Sequence, residues 1–160
     1  MQILLTKISD QRHALEIVRT DGSRETVELV TREALFHDLL HHAVESSLPT
    51  PRGFWSALAN GKTFADLNDR TGASTMENEY LPYMVEGIVG VMSGVVEMPV
   101  DRAYEKLCWY RETQGQELPD WCTKGFVAEV SERMRRLLGQ WKATPYGESM
   151  EIVWVETGSE

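Results

Sequence analysis

Ala14-Leu15-Glu16-Ile17-Val18-Arg19-Thr20-Asp21-Gly22-Ser23-Arg24-Glu25-Thr26-Val27-Glu28-Leu29 decides the fold class. Two runs alternate apolar with polar residues on either side of an Asp-Gly pair, the signature of an antiparallel hairpin. A two-residue loop at Asp21-Gly22 sets Ile17 against Thr26 and Leu15 against Glu28, which mixes the two faces. A three-residue loop, Asp21-Gly22-Ser23, sets Ile17 against Val27, Leu15 against Leu29 and Arg19 against Glu25. The second register separates apolar from polar and opposes unlike charges, so it is the one expected, with Gly22 at positive φ.

Working outward, Ile3 and Leu5 predict a further strand before the hairpin. At the other end Met150, Ile152 and Trp154 lie on one face of a strand read over residues 148–156. A lone C-terminal strand needs a partner, and the N-terminal strands can supply it. Between these ends the period turns helical. Thr31 is placed to cap a helix with Glu33 in its first turn, ending near Ser47 before Leu48-Pro49-Thr50-Pro51. A short helix spans Gly53 to Ala59, another turn covers Phe64 to Leu67, and residues 68–72 form a loop.

A long helix starts near Thr75–Pro82 and ends near Glu97-Met98-Pro99. Its apolar residues from Leu81 to Val96 occupy most of the circumference, which predicts a central helix or an oligomer interface. Gly87, Gly90 and Gly94 leave room there for close approach. Asp101 to Glu112 forms the next helix. Asp120 is placed to cap the last one, whose stripe runs from Phe126 through Val130 and Met134 to Trp141. The expected fold is α+β: a small antiparallel sheet of three N-terminal strands plus a C-terminal strand, with roughly four to five helices on one face. Residues 1–156 read as one domain and residues 157–160 as a flexible tail.

Bulk composition fits a globular chain: 160 residues, 42% hydrophobic and 26% charged. A net charge of −9 argues against nucleic acid as a partner. Arg133, Arg135, Arg136 and Lys142 make the densest basic cluster, but Glu129 and Glu132 interleave with them, so a mixed solvated face is expected. The most apolar stretch is shorter than the roughly 20 residues of a membrane span and contains Glu86, so no membrane partner is expected. Cys108 and Cys122 each adjoin a tryptophan and read as buried, reduced thiols of a cytoplasmic protein. No signal peptide is evident at the N-terminus.

Chemistry-capable groups concentrate in His37-Asp38-Leu39-Leu40-His41-His42-Ala43-Val44-Glu45. At about 100° per residue, Leu35, Phe36, Leu39, Leu40, Ala43 and Val44 share the core-facing half of a helix. His37, His41 and Glu45 follow one another on the other half, with Asp38 and His42 beside them. Histidines at i and i+4 can share a divalent cation such as zinc, and a carboxylate one turn on can be a third ligand. His37, His41 and Glu45 are therefore the candidate ligands, with Asp38, His42 and Glu86 in support. The plainer alternative is a solvated helix face of His–carboxylate pairs. An intermediate one packs that face on a loop, with the histidines against backbone or Trp55.

Glu86 belongs to a polar stripe of Glu79, Tyr83, Glu86, Gly90, Ser93 and Glu97, expected to face a groove or solvent. A sharper alternative turns that stripe toward the histidine helix, where Glu86 or Glu79 completes a site with His41 and Glu45. No phosphate-binding glycine loop and no nucleophile elbow occurs in the sequence.

His37-Asp38-Leu39-x-His41-x-x-Val44-Glu45, followed by Gly53-Phe54-Trp55 and Ala59-Asn60-Gly61, resembles a family of small bacterial proteins of unknown function, over residues 37–61. The resemblance implies a bacterial source and brings no activity, cofactor or catalytic residue. Two functions follow as expectations: binding or self-association, as a homo-oligomer through the long apolar helix, or metal-dependent hydrolase-like chemistry at the histidine helix.

Overall fold

Strands β1 (Gln2–Lys7), β2 (Arg12–Val18) and β3 (Arg24–Val30) form a meander, and β4 (Ser149–Val153) joins it beside β1. The sheet order is β3-β2-β1-β4 with every neighbour antiparallel. This computed structural model describes residues 1–50, 52–68 and 80–155. Of the loop expected over 68–72, Asn68 is instead the last residue of a helix; residues 69–72, the expected tail at 157–160, Glu79 and the side chain of Tyr83 lie outside the described residues.

The hairpin keeps the expected faces and loop length but shifts the register by two residues. Leu15 pairs with Val27 and Ile17 with Glu25. The loop is Thr20-Asp21-Gly22, closed by Arg19 N–H to Ser23 carbonyl at 2.9 Å and Gly22 N–H to Arg19 carbonyl at 3.0 Å. Gly22 has φ 85°, the left-handed residue that ends a three-residue turn. A slip of two preserves side-chain parity, so the hydrophobic pattern could not distinguish the registers. Arg19 still meets Glu25, at 3.1 Å, on a diagonal instead of directly across.

One sheet face carries Ile3, Leu5, Leu15, Ile17, Met150, Ile152 and Trp154, all buried. The other face is closed by polar pairs between strands: Gln2 with Glu151 at 2.7 Å, Thr6 with Ser149 at 2.6 Å, Arg24 with Glu16 at 3.6 Å, and Arg12 with Glu28. The helices therefore cover a single face. There are six among the described residues, one more than the upper expectation: α1 (Thr31–Ser46), α2 (Phe54–Ala59), α3 (Phe64–Asn68), α4 (Tyr80–Val95), α5 (Val100–Thr113) and α6 (Lys124–Ala143).

Two helix caps differ from expectation. Thr31 is the first helical residue of α1, not its cap; its hydroxyl lies 3.1 Å from His13 Nδ1, inside the sheet–helix seam. Thr123, not Asp120, caps α6, its hydroxyl accepting from Phe126 N–H at 3.1 Å.

The larger correction concerns α1. Its C-terminal half is buried nearly all round: Leu39, Leu40, Ala43 and Val44 as expected, but also His41, His42 and Glu45. A solvated polar face is thus excluded over those turns. The cause is placement, because α1 meets β3, α2, α4 and α6 and so has little circumference left for water. Each fully buried Leu or Val contributes roughly 1.5–3 kcal/mol.

α4 is correspondingly less central than its composition implies. Met84, Val85, Ile88, Val89, Met92 and Val95 face inward, while Glu86, Gly90, Ser93 and Gly94 are exposed. Its apolar surface is used within the chain, and β4 has its partner in β1. The basic cluster of α6 is interleaved with acids, Arg133 meeting Glu129 at 2.7 Å and Arg136 meeting Glu132 at 4.0 Å. No helix is long and apolar enough to cross a membrane among the described residues. Of the cysteine–tryptophan pairs, Cys122 is buried, whereas Trp109 beside Cys108 is exposed. Both cysteines are free thiols.

Candidate metal centre

His37, His41 and Glu45 occupy successive turns of α1, in environments that differ sharply. The His37 side chain is half exposed, His41 is buried and Glu45 is fully buried. An isolated carboxylate at that depth would carry a large desolvation cost. Glu45 avoids it with three N–H donors. Its Oε1 accepts from His41 Nδ1 at 2.9 Å and from the Phe54 amide at 2.8 Å; its Oε2 accepts from the Trp55 amide at 3.0 Å. The last two amides open α2, so Glu45 caps that helix from α1. The Trp55 indole N–H returns the tie by donating to the Asp38 carbonyl at 3.1 Å.

Gly53 makes this approach possible. Its φ of 139° lies in the region reserved for glycine, and a Cβ there would stand 2.6–2.9 Å from the Glu45 carboxylate atoms.

With Nδ1–H committed to Glu45, the His41 ring is fixed and its Nε2 points at Glu86 of α4, 2.9 Å from Oε2. His37 reaches the same carboxylate, Nε2 lying 3.5 Å from Oε1. The two rings meet edge to face with centroids 4.6 Å apart. One ligand atom from each of His37, His41 and Glu86 falls within 4.8 Å of the others. Tetrahedral zinc, with bonds near 2.1 Å, needs ligand atoms about 3.4 Å apart. The two His–Glu86 distances run to different carboxylate oxygens, and the 4.8 Å spread exceeds that value, so an ion here would need the three side chains to close toward one another. Glu86 and His37 are each about half exposed, so the cluster opens to solvent on their side. Glu45 stands behind His41, in the place of the outer-shell carboxylate that metal-bound histidines commonly have.

Electrostatics follow the same geometry. Burial alone would lower the His41 pKa; the hydrogen bonds to Glu45 and Glu86, with their charges, outweigh it and raise it to about 9. In the metal-free protein His41 is thus an imidazolium between two carboxylates. Burial pushes the Glu45 carboxyl upward, and His41 with the two amides acts against it. The net shift is upward, with the three donors favouring the ionised form against burial. Glu86 is held well below the usual carboxylate range by His37 and His41, its partial burial acting against them. Asp38 lies 4.0 Å from His37 Nδ1 with its side chain mostly buried; burial raises it to about 6, while His37 and His41 oppose the shift.

His42 is turned away from this cluster. It sits edge to face against Trp154 at 5.6 Å and Trp55 at 6.3 Å, with the Val153 backbone as its polar neighbour. Burial lowers it to about 4. His13 is farther still, in β2 against Thr31 and Trp141. The structure therefore gathers His37, His41 and Glu86, places Glu45 and Asp38 behind them, and sends His42 into the core. Residue spacing gave no sign of the part played by Gly53 and the amides of Phe54 and Trp55. Only the run Gly53-Phe54-Trp55 after a proline-rich turn hinted at a conformationally special entry to α2.

Comparison with protein-family models, with curated proteins and with solved structures finds no match to this chain.

Proposed function

We propose that this protein binds a divalent transition metal, zinc being the best fit, through His37 Nε2, His41 Nε2 and the Glu86 carboxylate. The observation that carries the proposal is convergence: two histidines of one helix and a carboxylate of another bring one ligand atom each within 4.8 Å of the others, with Glu45 fixing the inner histidine from behind. Three protein ligands with an open fourth position characterise catalytic rather than structural zinc sites. Zinc held by His37, His41 and Glu86 would supply Lewis-acid activation of a water for hydrolysis. Hydrolase-like chemistry is accordingly the activity the site supports best, with Asp38 as a further carboxylate beside His37.

Elemental analysis of protein purified without chelator tests the binding step. About one zinc per chain is expected, with a melting temperature that rises on zinc addition. Metal-free protein whose melting is indifferent to zinc sinks the proposal.

A second reading is favoured by the two 2.9 Å contacts of His41. In it, Glu45, protonated His41 and Glu86 form a permanent staple between α1 and α4, and the protein acts through binding or self-association elsewhere. The indifferent-to-zinc outcome selects this reading. The two free thiols and the bacterial resemblance over residues 37–61 support a cytoplasmic setting in a bacterium.

A further inference from the structure

We infer that Gly53 is a positioning residue for this centre: its missing side chain lets the Phe54 and Trp55 amides hold the Glu45 carboxylate against His41 Nδ1, so that His41 Nε2 faces Glu86. The inference rests on the metal reading above, and extends it to a residue that touches no ligand atom.

The geometry leaves little slack. Glu45 is fully buried and its two oxygens serve three donors, so the carboxylate cannot move without abandoning at least one. A Cβ on residue 53 would lie 2.6 Å from the carboxylate carbon and 2.7 and 2.9 Å from its oxygens. Those contacts are too short to tolerate, and what must give way is the group that orients His41. The ring would then be free to rotate, and Nε2 would no longer be aimed at Glu86. Outer-shell partners of metal-bound histidines typically govern metal affinity by 10–100-fold.

Gly61 supplies the control. It too has a positive φ, 96°, and sits at the other end of α2, but nothing lies within 4 Å of where its Cβ would be. Gly61→Ala therefore imposes backbone strain on the same segment without touching Glu45.

The experiment measures zinc affinity of the full chain by competition with a chromogenic chelator, for wild type, Gly53→Ala, Gly61→Ala and Glu45→Gln. Urea unfolding of each establishes that it is folded. Gly53→Ala and Glu45→Gln are expected to bind zinc about 10–100-fold more weakly, with Gly61→Ala near wild type. A folded Gly53→Ala with wild-type affinity overturns the inference, as does an equal loss in Gly61→Ala. If Gly53→Ala does not fold, Glu45→Gln decides: wild-type affinity there breaks the link from residue 53 to His41.

Zinc-free protein labelled with ¹⁵N at histidine gives a second readout. The His41 Nδ1–H resonance, bonded to Glu45 in wild type, should be lost in Gly53→Ala, and its persistence counts against the inference. Should wild type bind no zinc, the metal reading fails by itself, and this resonance still decides whether Gly53 positions His41.

Discussion

The Glu45 carboxylate and the His41 imidazole, one turn apart on α1, are hydrogen-bonded at 2.9 Å in the interior of the protein. Surface pairs at this spacing contribute a few tenths of a kcal/mol. Here the partners are desolvated, and the same carboxylate also holds the first two amides of α2. Glu45→Ala would strand three buried N–H groups at once. It should cost on the order of 3–5 kcal/mol, the range for removing one partner of a buried ion pair. Urea denaturation measures this directly, and a loss below about 1 kcal/mol would show that the network is not a stabilising unit.

The charge on His41 makes the metal-free protein sensitive to alkali. Its pKa is about 9 in the folded chain against 6.5 for the free side chain. A raised histidine contributes its full stabilisation below about 6.5 and loses it as pH rises through about 9. The loss should be on the order of 3 kcal/mol. Unfolding free energies of wild type and His41→Gln, compared from pH 6 to pH 9.5, should converge as pH rises. A difference that stays constant over this window would mean that His41 is not charged in the folded state.

His42 predicts the opposite pH response. It is held neutral by burial between Trp55 and Trp154, with its pKa lowered to about 4. A lowered histidine stabilises fully above about 6.5, and its contribution is lost as pH falls toward 4. Between pH 7 and pH 5 the loss should be about 2 kcal/mol. His42→Phe keeps an aromatic ring between the two tryptophans and cannot be protonated. It should lie within about 1 kcal/mol of wild type at pH 7 and gain on it by pH 5. Parallel acid dependences in the two proteins would refute this assignment.

Much of this architecture could be read from residue patterns, and the exceptions share a cause. Parity along β2 and β3 placed the core face, but parity is blind to a shift of two. The register was settled by where Gly22 must sit in the turn. The apolar half of α1 was legible from Leu39, Leu40, Ala43 and Val44. The burial of its other half was not, because it depends on α2, α4 and α6 closing around it. Polar residues at helical spacing read as solvated unless something packs over them. Here the covering elements are a six-residue helix entered through Gly53 and a helix carrying Glu86 some forty residues downstream. Such contacts join positions that no local period connects. The sharper alternative that turned Glu86 toward His41 named the contact, and the distances supply its geometry.

Arg19 is a structural anchor that the hairpin register alone underrates. Besides Glu25, its nearly buried guanidinium donates to the Leu58 carbonyl at 2.7 Å and the Lys62 carbonyl at 2.7 Å, fastening the α2–α3 connection to the sheet. Glu25 completes the clasp by accepting from the Phe64 amide at 2.7 Å. Arg19→Ala should cost about 3 kcal/mol, and Arg19→Lys should recover little of it, since an ammonium cannot reproduce the planar fork. Hydrogen exchange should speed up at Phe64 in both variants. Unchanged protection there would place the anchor elsewhere.

Metal binding at His41 must displace a proton, which gives the proposed centre a thermodynamic signature. At neutral pH the Nε2–H of His41 faces Glu86, in the position where zinc would take the Nε2 lone pair. Each zinc bound should therefore release about one proton from His41 near pH 7.5, and the apparent affinity should rise about tenfold per pH unit toward pH 9. Calorimetric titrations in two buffers of different ionisation enthalpy count the protons. Glu86→Gln removes a ligand from a half-exposed position, so it should weaken zinc binding while leaving the fold intact. Zinc uptake without proton release, or undiminished in Glu86→Gln, would place any bound metal at some site other than His37, His41 and Glu86.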